Sequence, residues 1–203
     1  MINLIGAYIF SIMLYALYVE RAKMLRFASS LERLPFWVRV LSVPVILYLA
    51  LQHADIISGN RDLTLPRILF TVVSGFTLWM HEAGHIYFRP FGTFMMFFGG
   101  TLNELLFPAL LGWWARRHHF SVIRSLAVCW IGLNLLRMSF YIADARAMKL
   151  PLLGAGDSTG HDWNNMLGML ALLESDHIVA AGATGLGCGA LTVGMALLIW
   201  PRD

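Results

Sequence analysis

His81-Glu82-Ala83-Gly84-His85 holds the residue types and the spacing that can do chemistry in this chain. Residues four apart share one helical face, so on a helix His81 and His85 offer imidazole nitrogens to a single metal ion. Glu82 adjoins the first histidine, where it can take a proton from a water activated by that ion. Zinc is the expected cofactor, since histidine ligation with a water suits it. A catalytic zinc takes three protein ligands plus water. The pentapeptide supplies two ligands and a base, so the third ligand must come from elsewhere.

Asp144 is the favoured third ligand. It ends an apolar run in which Asn134, Arg137, Tyr141 and Asp144 recur at spacings of three, four and three, which is one helical face. Arg137 and Asp144 are two turns apart, about 10 Å, too far for an easy direct pair. His161 is the rival. It stands in Gly160-His161-Asp162-Trp163, 17 residues beyond Asp144, where a glycine-rich loop can fold over the site. Histidine is also the commonest metal ligand. Asp162 ranks behind His161, as a ligand or as a support to one. In Gly99-Gly100-Thr101-Leu102-Asn103-Glu104, Asn103 can bond a substrate backbone or tie two helices together. Glu104 can orient a histidine, replace Asp144 as ligand, or pair with Arg89 or Arg137.

The elements that position these residues are apolar. The chain has 203 residues, 58% of them hydrophobic and 13% charged, where a soluble domain carries about 25% charged. Mean hydropathy is +0.66. A membrane helix needs about 20 mostly apolar residues, and six stretches come near this, at 4–19, 36–51, 68–88, 94–114, 122–143 and 178–200. The fold expected is all-α: a polytopic transmembrane helix bundle of about six spans. It forms a single integral membrane domain over 1–203, multi-pass, read as a bacterial inner-membrane protein. Glu82 and two histidines inside such a span are costly unless paired or metal-bound, and intramembrane ionisable residues are functional by default.

The net charge of +3 fits loops lying against membrane lipids and excludes the clustered basic surface that nucleic-acid binding wants. Cys129 and Cys188 sit in apolar runs and offer no zinc-binding Cys-x-x-Cys pair. The linker from Arg21 to Arg33 is basic, and the positive-inside rule makes it cytoplasmic. Strict alternation of six spans then puts Arg116-Arg117-His118-His119 on the other side, against the same rule. A short apolar piece at 166–173 is too short to span.

The series His81-Glu82-Ala83-Gly84-His85, then Gly99-Gly100-Thr101-Leu102-Asn103, then Asn134-Leu135-Leu136 leading to Asp144, resembles the site-2 protease family of intramembrane zinc metalloproteases. The likeness covers 65–145, a three-span metalloprotease-like core. It implies His81, His85 and Asp144 as zinc ligands and Glu82 as catalytic base. It also implies a transmembrane protein as substrate, cut at a peptide bond. The family's aspartate is normally followed by glycine with prolines nearby, whereas here the sequence is Ala143-Asp144-Ala145. The chain is therefore similar to a minimal, divergent member without a soluble sensor domain. Two other classes compete: a metal-dependent membrane hydrolase of lipid amides or esters, and a non-enzymatic metal-binding membrane protein. Glu82 argues against the second, which has no need of a carboxylate beside the first histidine.

Overall fold

The computed structural model describes residues 21–53, 65–150 and 160–200, with Ser11, Ile12 and Tyr15. Every regular element among the described residues is helical. In order these are α1 (Arg21–Glu32), α2 (Phe36–His53), α3 (Leu65–Phe88), α4 (Thr93–Arg117), α5 (Ser121–Ala143), α6 (Asp162–Met169) and α7 (Asp176–Ile199). Single 3-10 turns at Arg89–Phe91 and Leu173–Ser175 precede α4 and α7. The all-α expectation therefore holds.

Among the described residues, three helices are long and apolar enough to cross a membrane: α4, α5 and α7 with its preceding turn. A fourth is added when α1 and α2, which meet at 95°, are taken together. These helices make the chain a membrane protein. Helix α3 has 24 residues, about 36 Å at 1.5 Å per residue, but His81, Glu82 and His85 interrupt its apolar run. The first expected span, 4–19, lies outside the described residues apart from Ser11, Ile12 and Tyr15.

Helix α5 is the central element, packed against α4 on one side and α7 on the other. Glycines let the backbones meet. A Cβ on Gly132 of α5 would stand 2.9 Å from the Gly187 carbonyl of α7, and one on Gly194 would stand 2.5 Å from Cys129 Sγ. A glycine-rich last helix is how such close packing is achieved without a large apolar driving force between helices. Cys129 is buried in this interface, Cys188 is exposed, and both are free thiols. Ile46 and Leu49 of α2, Leu133 and Leu136 of α5, and Leu191 and Leu198 of α7 form the main apolar core. A second cluster of Met138, Ile142, Leu167, Ala180 and Ala183 seats α6 against α5 and α7. Helix α6 is the short piece expected near 166–173, although it begins earlier. Its eight residues span about 12 Å.

Two polar contacts fix the ends of the bundle. The Glu32 carboxylate accepts hydrogen bonds from Ser121 Oγ (2.7 Å) and from the Val122 N–H (2.8 Å), capping the start of α5 with charge of the favourable sign. Arg146, just past the end of α5, holds the fully buried Asp176 at 2.8 Å and Glu174 at 2.9 Å, tying α5 to the start of α7. Both carboxylates raise the Arg146 guanidinium above its ordinary value, Asp176 most strongly.

The Glu32 contact places the basic α1 and the turn around Arg116–His119 at the same end of the bundle. This removes the conflict with the positive-inside rule: both basic segments face one side, and the α5 C-terminus with α6 faces the other. In a Cys129→Ala/Cys188→Ala background, cysteines at Ser30 and Arg117 should react with an impermeant thiol reagent from one side. A cysteine at Ala147 should react from the opposite side. Labelling of Ser30→Cys and Arg117→Cys from different sides would contradict this arrangement.

Candidate metal centre

His81 and His85 lie one turn apart on α3, their ring centroids 4.8 Å from each other. The helix is held to α4 by a glycine pair. A Cβ on Gly84 would collide with the Gly99 carbonyl, and one on Gly99 would stand 2.6 Å from the Gly84 carbonyl. Gly84, between the two histidines of the pentapeptide, thus brings the backbones of α3 and α4 into contact. One residue on, Gly100 leaves room for both imidazoles. A Cβ there would stand 2.7 Å from His81 Nε2 and 2.8 Å from His85 Cε1.

Across from the histidines is Asp162, the first residue of α6. Its Oδ2 lies 2.9 Å from His81 Nε2 and 3.3 Å from His85 Nε2. One ligand atom from each of the three residues falls within 4.8 Å of the others. Nitrogens and oxygens about 2.0–2.1 Å from a tetrahedral zinc stand roughly 3.3 Å apart, so the separations fit a shared ion. Two imidazoles and a carboxylate are also a suitable donor set for zinc. His81 and Asp162 are buried and His85 is half-buried. Burial pushes the Asp162 carboxyl up, but the hydrogen bonds and charge of His81 and His85 more than offset this and hold it at about 2.

The third member of the cluster is therefore Asp162. It is neither Asp144 nor His161, the two residues that sequence placed ahead of it. Asp144 turns away. Its oxygens accept the Lys149 N–H (3.0 Å) and the Leu150 N–H (2.9 Å), closing the turn after α5. Oδ2 also lies 3.4 Å from His161 Nε2. His161 is fully buried and precedes α6 as its N-cap, where Nδ1 accepts the Asn164 N–H at 3.2 Å. With Nδ1 accepting, the proton sits on Nε2 and faces Asp144. Burial holds the His161 imidazole below its ordinary value, against the pull of Asp144, which suits a neutral cap. Asp144 and His161 thus place α6, and α6 places Asp162.

The polar face of α5 supports the cluster at each turn. Tyr141 Oη accepts the Asp162 N–H (3.0 Å) and lies 3.4 Å from Asp162 Oδ2. Its ring packs 4.3 Å from that of His161. Arg137 pairs with the buried Glu104 at 2.5 Å, and Glu104 Oε2 stands 3.6 Å from His81 Nδ1. Asn134 donates to the Glu104 carbonyl (2.7 Å) and accepts from Thr77 Oγ1. Asn103 donates to the Met80 carbonyl at 2.6 Å, tying α4 to the turn that carries His81. Of the alternatives open for Asn103 and Glu104, the geometry selects the helix tie and the pair with Arg137, with Glu104 facing His81 Nδ1 from 3.6 Å.

His85 Nδ1–H donates to the Met96 carbonyl at 2.7 Å. This leaves Nε2, on the side of Asp162, as the nitrogen at which a metal would replace a proton, and such partners fix the ring orientation a metal needs. A backbone carbonyl as partner has no side-chain signature, and sequence could not have supplied it. Glu82 is half-buried and has no hydrogen-bond or ion-pair partner among the described residues. It lies within electrostatic reach of the Tyr141 hydroxyl.

Family models, curated proteins and solved structures give no match to this chain.

Two results check the assignment. Asp162→Asn should cut zinc affinity by about 100-fold or more, since it removes a ligand. Asp144→Asn should cost about 10-fold, as supporting partners do. Both are read by competitive chelator titration of purified protein, and the reverse order would return Asp144 to the ligand set. Gly100→Ala puts a methyl group against both imidazoles. It should weaken zinc binding by at least about 10-fold while costing about 1–3 kcal/mol of stability. Retained affinity in a folded Gly100→Ala protein would mean that the ion sits elsewhere.

Proposed function

We propose that the protein is an intramembrane zinc metalloprotease of the site-2 protease type, a multi-pass membrane enzyme hydrolysing peptide bonds of membrane-embedded substrates. The observation that carries this reading is Glu82. Beside a buried two-histidine, one-carboxylate cluster stands a second carboxylate that no described residue engages. A purely structural metal site is closed by four protein ligands, whereas a catalytic one has three and keeps a position open.

His81, His85 and Asp162 would hold the ion, and its Lewis acidity would bring the pKa of a water toward about 7. Glu82 would take the proton of a water attacking the peptide carbonyl and, as the C–N bond breaks, pass it to the departing amine nitrogen, ending as it began. Tyr141 keeps Asp162 in register through the backbone N–H. Glu104, neutralised by Arg137, stands beside the outer nitrogen of His81. A helical substrate hides its carbonyls, so the scissile segment must unwind to reach Glu82. Non-helical backbone at membrane depth is tolerated where it lines a polar cavity, which the faces of α4 and α5 toward the cluster can supply.

Glu82→Gln should bind zinc as the wild type does and lose at least about 100-fold in cleavage of a model membrane-spanning peptide, within the range of general-base contributions. Parallel incubation with membrane lipid extract should release no fatty acid. Undiminished peptide cleavage by zinc-loaded Glu82→Gln would sink the proposal. Lipid amide or ester hydrolysis without peptide cleavage would replace it by a lipid hydrolase.

A further inference from the structure

From Arg21 to Phe36 the sequence has Arg21, Lys23, Arg26 and Arg33 against one acid, Glu32. The Glu32 carboxylate is turned into the bundle, where it accepts from Ser121 Oγ and from the Val122 and Ile123 N–H groups. It is therefore spent on the start of α5 and does not offset the basic face of α1. Lys23, Arg26, Ser30 and Arg33 recur at spacings of three, four and three, which is one helical face. All four are exposed, as is Phe27 among them, whereas Ala28 is buried. The hydroxyls of Ser29 and Ser30 donate to the Arg26 and Phe27 carbonyls, 2.8 and 2.7 Å away. The donors this face offers are its cationic side chains.

The placement of α1 relative to the bundle has separate support. Helix α2 packs Ile46 and Leu49 along α5 and α7. Helix α1 meets α2 at 95°, so it lies across the end of the bundle and not along it. The elbow is fixed by Arg39, which donates to the Glu32 carbonyl at 2.7 Å and to the Leu34 carbonyl at 3.1 Å. At the same end, Trp37 of α2, Trp113 near the end of α4 and Trp200 at the end of α7 are all exposed. Exposed tryptophans of spanning helices gather at the level of lipid headgroups. Phe27 is 66% exposed, an apolar anchor on a basic helix of the kind that lies in the membrane interface.

We infer that α1 is an interfacial helix that binds the headgroups of anionic phospholipids, with Arg26 and Arg33 on the phosphates and Phe27 inserted among the first acyl carbons. Guanidiniums suit phosphate because each offers paired N–H donors in a fixed plane. Arg26 and Arg33 are seven residues apart, about 10 Å along a helix, so each can take a separate headgroup. Through Glu32 the helix that rests on the lipid also caps α5. This surface is separate from the metal cluster and does not depend on proteolysis.

The test is native mass spectrometry of the full chain released from nanodiscs of equimolar phosphatidylglycerol and phosphatidylcholine. Wild type should retain phosphatidylglycerol in excess. Arg26→Gln and Arg33→Gln should each lower the retained ratio about fivefold. Arg89→Gln, exposed in the turn after α3 at the opposite end, should change it less than about twofold, as a screened isolated charge does. Equal retention of the two lipids by wild type, or an equal effect of all three substitutions, would overturn the inference. In a Cys129→Ala/Cys188→Ala background, a fluorophore on Phe27→Cys should be quenched more by a nitroxide near the lipid headgroup than by one at the chain end. A label quenched by neither would place α1 in water, open to an acidic protein partner, and would also overturn it.

Discussion

Two imidazoles and a carboxylate cannot sit inside an apolar helix bundle unless each satisfies the others. An unpaired buried charge costs several kcal/mol even after relaxation, and the surrounding apolar helices offer no water to share that cost. His81, His85 and Asp162 meet this constraint by converging on one point. The rest of the bundle can be understood as the means of keeping them there. The glycine contact between α3 and α4 sets the depth of the histidines. Gly100 leaves the space they occupy, and α6 carries the carboxylate in from the far side.

The support is graded by distance from the cluster. Tyr141, the Met96 carbonyl and Glu104 each touch or face a member of the triad. Behind them, Arg137 neutralises Glu104, Asn134 holds the Glu104 backbone, and His161 with Asp144 anchors the start of α6. Further out, Asn164 donates to the Ala145 carbonyl at 2.8 Å, and Arg146 clamps Asp176 at the start of α7. The inner contacts join helices that carry or face the cluster, so a shift in one of them moves a ligand, while the Arg146 clamp braces α5 against α7 from outside.

Much of this was legible in the sequence, for a physical reason. Helical spacing alone puts His81 and His85 on one face, and it puts Asn134, Arg137, Tyr141 and Asp144 on another. The first face carries the two histidines of the cluster, and the second lies toward it as far as Tyr141. What spacing cannot supply is the path of the chain after Asp144. The polar stripe on α5 reads as a ligand stripe, yet at this depth it supports the site: its last member serves a turn and a capping histidine. Sequence alone ranks Asp162 as a ligand candidate behind its neighbour His161. The two neighbours on α6 point in different directions because one is the N-cap and the other is the first helical residue, a distinction made by tertiary contacts. The opposition between the two basic segments also came from counting spans in strict alternation. The contact of Glu32 with the start of α5 removes it, and neither segment announces that pairing.

The central claim is that one metal ion is held by His81, His85 and Asp162. Zinc K-edge X-ray absorption on the purified Asp162→Cys protein tests it directly. If Asp162 is a ligand, the substituted thiolate enters the coordination sphere, and a zinc–sulfur distance of about 2.3 Å appears beside two imidazole shells. A spectrum with imidazole and oxygen scattering but no sulfur, matching that of the wild type, would contradict the account.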